Sequence, residues 1–352
     1  MSERLVVQLG RVTLRNPVIC GAGEHLIEAA GMRRALAAGA AAVVVKSASE
    51  SAAAREQLDR TDYALLDSEW RRLAWRGVHP PDASLLCRSG LAPQPFERWL
   101  ELAARMDREA RARDAYVVAS LVPSDAERLP ALAREIEQAG VRVLEVNFGA
   151  PHADEAPHGA ILIERSAERI RDLVARVRAA VALPLWIKLT GRAEDLPTLV
   201  EAARTGGADA VTLMGRFMAL VPDIESLRPL LGTHAAYGGP WALPLTCHWL
   251  AKSRARVGAE FPLLGTNGAR GGLDVARMLL AGARAVQMTS AVLVEGFGVI
   301  ERTLTTLDEY LRTRGLAARE LVGRAADAVE SYAAQPVRAG VWREFVPEGS
   351  LD

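Results

Sequence analysis

Two lysines close otherwise apolar runs: Lys46 ends Val-Val-Val-Lys and Lys188 ends Trp-Ile-Lys. An ammonium at the end of a buried run needs a partner, because burying it unpaired is costly. A phosphate-bearing cofactor whose reduced form is anionic is one such partner; a salt bridge or a snorkelling stem is the other. Small residues cluster at Gly238-Gly239, at Gly265-Thr266-Asn267-Gly268 and at Thr289-Ser290. Such places let backbone N–H groups approach an anion closely, or simply supply turns that need positive φ. Asn147, in Leu-Glu-Val-Asn-Phe-Gly, is able to hold a planar heterocycle or a substrate by its edge, or to cap its own strand. Arg216 offers bidentate recognition of a carboxylate, phosphate or enolate, unless Asp223 claims it in a salt bridge.

The chain that must position these groups has 352 residues, 50% hydrophobic and 24% charged, with 43 Lys plus Arg against 43 Asp plus Glu. That balance gives no electrostatic grip on nucleic acid or an anionic membrane. Cys20, Cys87 and Cys247 are too few and too scattered for a disulfide framework, a zinc site or an iron–sulfur cluster, so no metal is expected. The N-terminus lacks an apolar signal-peptide core, and the longest apolar stretch, residues 35–45, falls far short of the ~20 residues of a membrane span. The expectation is a soluble cytoplasmic protein.

Eight short, continuously apolar runs read as parallel strands buried on both faces: Pro17–Gly21, Ala41–Lys46, Tyr116–Leu121, Val141–Phe148, Pro184–Leu189, Ala208–Met214, Phe261–Gly265 and Ala285–Thr289. Helical patterns separate most of them, among them Leu129–Gly140, Ala167–Ala182 and Pro197–Gly206. Eight β–α units predict a (β/α)8 TIM barrel. A Rossmann-like sheet is the runner-up, but no GxGxxG opens a helix after an early strand. A hairpin of Leu5–Gln8 and Val12–Leu14 about Gly10 would plug the bottom. Long βα insertions follow strands two (Ser47–Ala115) and six (Gly215–Glu260), on the face where barrels keep their active sites. Residues 1–316 are expected to form the barrel. Residues 317–352 are expected as a C-terminal helix and tail, packing on the barrel or at an oligomer interface.

The chain resembles the FMN-dependent dihydroorotate dehydrogenases, especially their soluble class 1 branch, and the pyrimidine-reducing domain of dihydropyrimidine dehydrogenase. The likeness runs over roughly residues 12–325, through Leu14-Arg15-Asn16-Pro17, Gly39-Ala40-Ala41, Lys46, Glu145-Val146-Asn147, Lys188-Leu189-Thr190, Ala208-Asp209-Ala210-Val211-Thr212, Gly265 to Gly268 and Ala281 to Gln287. It implies FMN as cofactor. Gly21, Ala22, Gly23, Lys46, Asn147 and Lys188 would meet the flavin or its surroundings. Gly238, Gly239, Gly265, Thr266, Asn267, Gly268, Thr289 and Ser290 would cradle the phosphate. It also implies a homodimer.

The substrate side departs from the pattern. The family's proton-accepting Cys or Ser is replaced by Ala150 in Asn147-Phe148-Gly149-Ala150-Pro151-His152, and a pyrimidine-contacting Asn by His152. Cys87 aligns with another family asparagine, and Gly215-Arg216 stands for an Asn-Ser or Asn-Thr pair. His152 is the first choice for the displaced base, since an imidazole titrates near neutrality. His158 lies further along the same loop. Cys87 would serve if Arg88 or a lysine stabilised its thiolate, though a small buried hydrophobe is the bland reading. Lys46 completes the catalytic set, and Arg216, His152, Cys87 and Asn147 the substrate set. Glu24 and His25 are expected to line the mouth, and Trp70, Trp75 and Trp241 to act as stacking lids or as core.

The expected function is hydride transfer between flavin N5 and a carbon of a small non-pyrimidine substrate, anionic if Arg216 meets it, in either direction and with an unassigned electron acceptor. The alternatives are an FMN-binding protein whose redox role is lost, and an authentic dihydroorotate dehydrogenase with a displaced base.

Overall fold

The computed structural model describes residues 2–150, 165–191 and 194–351. A bottom hairpin pairs β1 (Val7–Leu9) with β2 (Val12–Leu14), turning at Gly10, whose φ is +56°. The strands that follow are β3 (Val18–Cys20), β4 (Ala42–Val44), β5 (Asp62–Leu66), β6 (Arg72–Leu73), β7 (Ser84–Arg88), β8 (Tyr116–Leu121), β9 (Leu144–Asn147), β10 (Leu185–Lys188) and β11 (Ala210–Leu213). After them come β12 (Phe217–Ala219), β13 (Pro222–Asp223), β14 (Arg228–Pro229), β15 (Ala235–Gly238), β16 (Leu263–Thr266) and β17 (Ala283–Met288).

Eight of these close a barrel in the order β3-β4-β8-β9-β10-β11-β16-β17, every pair parallel. All eight sit inside or across the runs expected from sequence, shorter by one to three residues at most ends. Their residues are almost uniformly buried because side chains face the barrel interior on one side and the helical layer on the other. The helices Leu129–Gln138, Ala167–Ala180 and Leu196–Thr205 occupy the expected places. Ser166 and Asp195 each accept a backbone N–H of the helix that follows, and Pro197 sits in the first turn, where its missing N–H has no partner to lose.

Strand entry is pinned by polar groups. Asn16 accepts the Val18 N–H at 2.9 Å and donates to the Gly39 carbonyl at 2.9 Å, which ties β3 to the turn before β4. The bottom hairpin packs Leu9, Val12 and Leu14 into the barrel core, with Gly10 against the Asp209 carbonyl.

The two long insertions do not remain loops. They build a five-stranded antiparallel sheet, ordered β12-β15-β7-β5-β6, over the barrel mouth. Strand alternation splits its side chains between two faces. Leu85, Cys87 and Ala236 pack together with Tyr63 and Leu293 on the face toward the barrel, and Leu66, Leu86 and Ala235 pack against Leu231 on the other.

At the C-terminus, helix Gly298–Arg314 completes the outer layer. A four-residue helix, Ala318–Leu321, follows, and the chain is then held by Gly323 N–H on the Leu279 carbonyl and by an Arg254–Asp327 ion pair at 2.7 Å. Beyond Asp327 the chain is exposed almost throughout. Among the described residues, no helix is long and apolar enough to cross a membrane.

Candidate functional site

A cleft of about 920 Å³ opens at the carboxyl ends of the barrel strands, beneath the cap sheet. A smaller cavity of about 350 Å³ adjoins it and shares Leu85, Gly268, Ala269 and Ser290 with it.

The floor of the large cleft is a buried charge network. Glu145, on β9, is fully buried; its carboxylate accepts from Gln287 Nε2 at 2.5 Å, Thr212 Oγ1 at 3.2 Å and Ser120 Oγ at 3.4 Å. Lys188, at the end of β10, donates to Gln287 Oε1 at 2.8 Å and lies 4.0 Å from Glu145. Burial pulls the Lys188 pKa down, with Glu145 opposing and Arg216 and Lys46 adding to the fall. Five different barrel strands thus contribute one polar side chain each. None of these groups would be tolerated at that depth alone.

Lys46, just beyond β4, is buried and ion-paired to Glu24 at 2.9 Å. Burial raises the Glu24 pKa, but Lys46, Tyr63 and Arg216 outweigh it and hold the carboxyl at about 2. Next to it, burial presses His25 down to about 4, so the imidazole is neutral at pH 7.

The smaller cavity is lined by Gly238, Gly239, Gly268 and Ser290. A Cβ on Gly268 would lie 2.5 Å from the Leu243 nitrogen, where the 15-residue helix Leu243–Val257 begins, and φ there is +114°. On Gly239 it would lie 2.6 Å from Ser84 Oγ. Asn267, at φ +71°, carries the turn into Gly268, and Thr246 Oγ1 clamps its carbonyl at 2.7 Å. Its Nδ2 is buried and, among the described residues, has no hydrogen-bond partner. An orphaned buried donor, bare backbone and the start of a long helix together suit an anionic group such as a phosphate.

Of the residues expected to hold a cofactor, Ala22, Lys46, Asn147, Lys188, Thr266, Asn267, Gly268, Thr289 and Ser290 line the large cleft, while Gly238 and Gly239 line the small one. Gly21 and Gly23 sit behind this wall and let Thr289 approach, since a Cβ on Gly21 would meet Thr289 Oγ1 at 2.3 Å. Gly265 faces the other way: a Cβ there would meet Met278 Sδ at 2.7 Å, so this glycine lets helix Gly272–Leu280 pack on β16 and does not line the cleft. Asn147 Oδ1 accepts the Gly149 N–H at 2.9 Å and shapes its own turn while bordering the cleft.

On the substrate side, Ala150 borders the cleft and packs with Leu91 and Val122 in an apolar wall. Arg216 borders it too, donating to Ser89 Oγ at 3.0 Å and to Cys87 Sγ; Asp223 is not its partner. Cys87 departs from expectation. It lies in the middle of the cap sheet, fully buried between Tyr63 and Ala236, and is not part of the cleft lining. Burial raises its thiol pKa, with Arg216 only opposing, and Arg88 is turned to Asp62 at 3.5 Å. A covered, protonated thiol suits neither proton transfer nor substrate contact. His152 and His158 lie outside the described residues. Trp241 stacks on Tyr237 at 5.0 Å and Trp75 tilts against Tyr63 at 5.5 Å; Trp70, Trp75 and Trp241 pack on the cap instead of lining the cleft.

Other participants, among them Glu145, Gln287 and Ser89, are not among the expected site residues. Glu145 and Gln287 sit mid-strand in apolar runs, a signal as plain as that of the lysines. Ser89 lies in an insertion whose pairing had no local signature. Among the described residues, no cluster of His, Cys, Asp and Glu is arranged to hold a metal.

The sequence pattern of the dihydroorotate dehydrogenase family matches residues 77–311. The chain is 26% identical over 323 residues to the dihydroorotate dehydrogenase B (NAD(+)) catalytic subunit of Methanocella arvoryzae, covering 92% of this chain and 98% of that one. With the corresponding subunit of Pyrococcus furiosus it shares 27% over 321 residues, 91% and 98% of the two chains. With the dihydroorotate dehydrogenase A (fumarate) of Lacticaseibacillus paracasei it shares 31% over 180 residues, 51% and 60%.

Proposed function

The chain belongs to the dihydroorotate dehydrogenase family and is an oxidoreductase of that type, acting on CH–CH bonds, and we propose that it does so with FMN on a substrate other than dihydroorotate. The cofactor part rests on the fit of the two cavities: bare backbone at Gly239 and Gly268 and the free Asn267 amide for a phosphate, and a broad polar floor for a flat ring. Bound there, FMN would supply the atom, N5, that takes or gives the hydride.

The chain's own residues do the rest. Lys188 sets a positive charge in the floor, held in place by Gln287 and Glu145, where it favours an electron-rich ring. Lys46, oriented by Glu24, adds a second. The cap sheet and Leu85 exclude water from above.

The altered substrate rests on one observation: Leu91, Val122 and Ala150 form an apolar wall on the cleft. Ring N–H and C=O groups of a pyrimidine turned toward that wall would lose their hydrogen bonds, a loss of about 1–3 kcal/mol each. Nor can the Ala150 methyl accept the proton that CH–CH oxidation releases. His152 remains the first candidate for that task.

An authentic dihydroorotate dehydrogenase with another base is the second reading, favoured by the near-complete coverage of relatives bearing that name. The visible spectrum of the purified protein, followed by anaerobic titration with dihydroorotate, separates the readings. A yellow protein that dihydroorotate leaves unbleached is the expected result. Prompt bleaching would establish the second reading, and a protein that refuses added FMN would end both.

A further inference from the structure

Among the described residues, the cleft carries one positive charge more than its surroundings neutralise. Three cations line it, Lys46, Lys188 and Arg216. Two carboxylates serve them from behind: Glu24 at 2.9 Å from Lys46, and Glu145 at 4.0 Å from Lys188. Arg216 has only neutral partners among the described residues, the Cys87 thiol and the Ser89 hydroxyl. A guanidinium has five N–H donors, and these contacts leave others to spend. Glu24 lies near enough to feel Arg216, but its carboxylate is already committed to Lys46.

The position of this excess charge separates it from the phosphate-type cradle. Arg216 lines the large cleft with Ser89 and Gly90 and takes no part in the glycine-lined cavity. Its side chain passes Gly238, where a Cβ would lie 3.0 Å from Arg216 Cγ, and its head is steered to the cap by β7 and the residues after it. The same cleft is lined by the apolar wall of Leu91, Val122 and Ala150. One guanidinium and one apolar wall describe a ligand with an apolar body and a single planar anionic head.

We propose that Arg216 is the specificity-determining residue of this enzyme and that its substrate is a small carboxylic acid, the carboxylate received by the guanidinium and the hydrocarbon body by Leu91, Val122 and Ala150. The inference rests on the flavoenzyme reading above and names the substrate class for that cleft. A planar carboxylate matches the guanidinium fork, and the low polarity of the wall that shares the cleft strengthens the pair. Ser89 is a positioning residue: it holds the fork so that less rotamer freedom is lost on binding.

The test uses the FMN-loaded full chain, with loading read from the flavin absorbance. Benzoate, its neutral isostere benzamide and inorganic phosphate are each titrated by calorimetry and by perturbation of the flavin spectrum. Benzoate is expected to bind about tenfold to a hundredfold more tightly than benzamide. Arg216→Gln should remove that preference without changing benzamide binding, and Arg216→Lys should restore part of it. Equal binding of benzoate and benzamide by the parent protein would overturn the proposal, as would an unchanged preference in Arg216→Gln. Phosphate binding that is lost in Arg216→Gln, without benzoate binding, would overturn the carboxylate assignment. The melting midpoint of each variant separates loss of a contact from loss of fold. If the parent protein takes up no FMN, the flavoenzyme reading fails by its colour, while the calorimetric comparison on that same protein still decides the role of Arg216.

Discussion

The floor and the roof of the cleft are built by opposite means. The floor is made of strand ends: Glu145, Lys188, Thr212 and Gln287 project from parallel strands whose neighbours are fixed all round the barrel, and each polar group is matched by another. The roof is made of insertions. β7 pairs with β15 across some 150 residues of chain, and Arg216, Ser89 and Cys87 meet only because that sheet forms. A closed barrel holds charge at a defined depth with little room for change. A cap of short antiparallel strands can be altered one side chain at a time without disturbing the barrel, and Cys87 and Arg216 depart from the family pattern there, while Ala150 departs just after β9, where the barrel meets the cleft. The division assigns cofactor chemistry to the floor and substrate choice to the roof.

The comparison breaks most readily at Glu145. Removing one partner of a buried pair leaves an uncompensated charge, so Glu145→Ala should cost about 3–5 kcal/mol in denaturant unfolding, and Glu145→Gln clearly less. On the roof, Asp62→Asn at the half-exposed Arg88 pair should cost under about 1 kcal/mol. Equal losses would mean that the cap is as rigidly specified as the barrel.

Function should divide the same way. Lys188→Met is expected to slow flavin reduction about 10²–10³-fold, the usual effect of deleting a preorganised electrostatic group, as read by stopped-flow absorbance with whichever substrate bleaches the flavin. Cys87→Ser should change it less than about threefold, because that thiol is covered. A large effect at Cys87 would return it to the catalytic set.

Acid should act at the junction of floor and roof, where His25 and Glu24 lie. The folded pKa of His25, about 4, is below its unfolded value, so the unfolded chain binds the extra proton and stability falls as pH drops from about 6.5 toward 4. Glu24, held at about 2, adds a further loss once pH falls below the usual carboxylate range. The melting midpoint should therefore decline between pH 7 and pH 4.5, by the equivalent of about 2–3 kcal/mol for His25 at most. His25→Gln should flatten that upper part of the profile.

How legible each region was in sequence follows from the same contrast. The eight barrel strands announce themselves because residues such as Val43, Val117 and Ile187 are buried on both faces and leave continuous apolar runs. Lys46 and Lys188 stand out against those runs for the same reason. Glu145 and Gln287 carry the same signal, each a polar residue set in an apolar run. The cap was illegible: Ser84–Arg88 and Ala235–Gly238 have no clean alternation, and only tertiary pairing makes them strands. Cys87 lies on the barrel-facing side of its strand, but nothing local shows that Tyr63, Ala236 and the Arg216 head cover it there. Gly265 reads as part of a cradle because its neighbours form one; its own Cα faces a helix.

The smallest effect is expected where neither region is involved. After Asp327 the chain makes no backbone hydrogen bond to the barrel among the described residues; those from Val329 to Ser350 are all local turns. Tyr332, Val337 and Phe345 are at least 80% exposed, so little apolar area leaves water when this segment takes its shape. The last anchor to the barrel is the Arg254–Asp327 pair, where Arg254 also donates to the Ala259 carbonyl. A chain ending at Asp327 keeps that anchor. It should melt within about 2 °C of the full chain and take up FMN equally well, since surface changes that remove no buried contact are worth about 0.5 kcal/mol or less. Ending the chain at Asp327 and also changing Arg254→Ala should cost more, because the buried guanidinium braces the bottom of the barrel. If the shorter chain alone loses several degrees, the tail contributes to stability through contacts outside its own barrel, and floor and roof no longer account for the whole molecule.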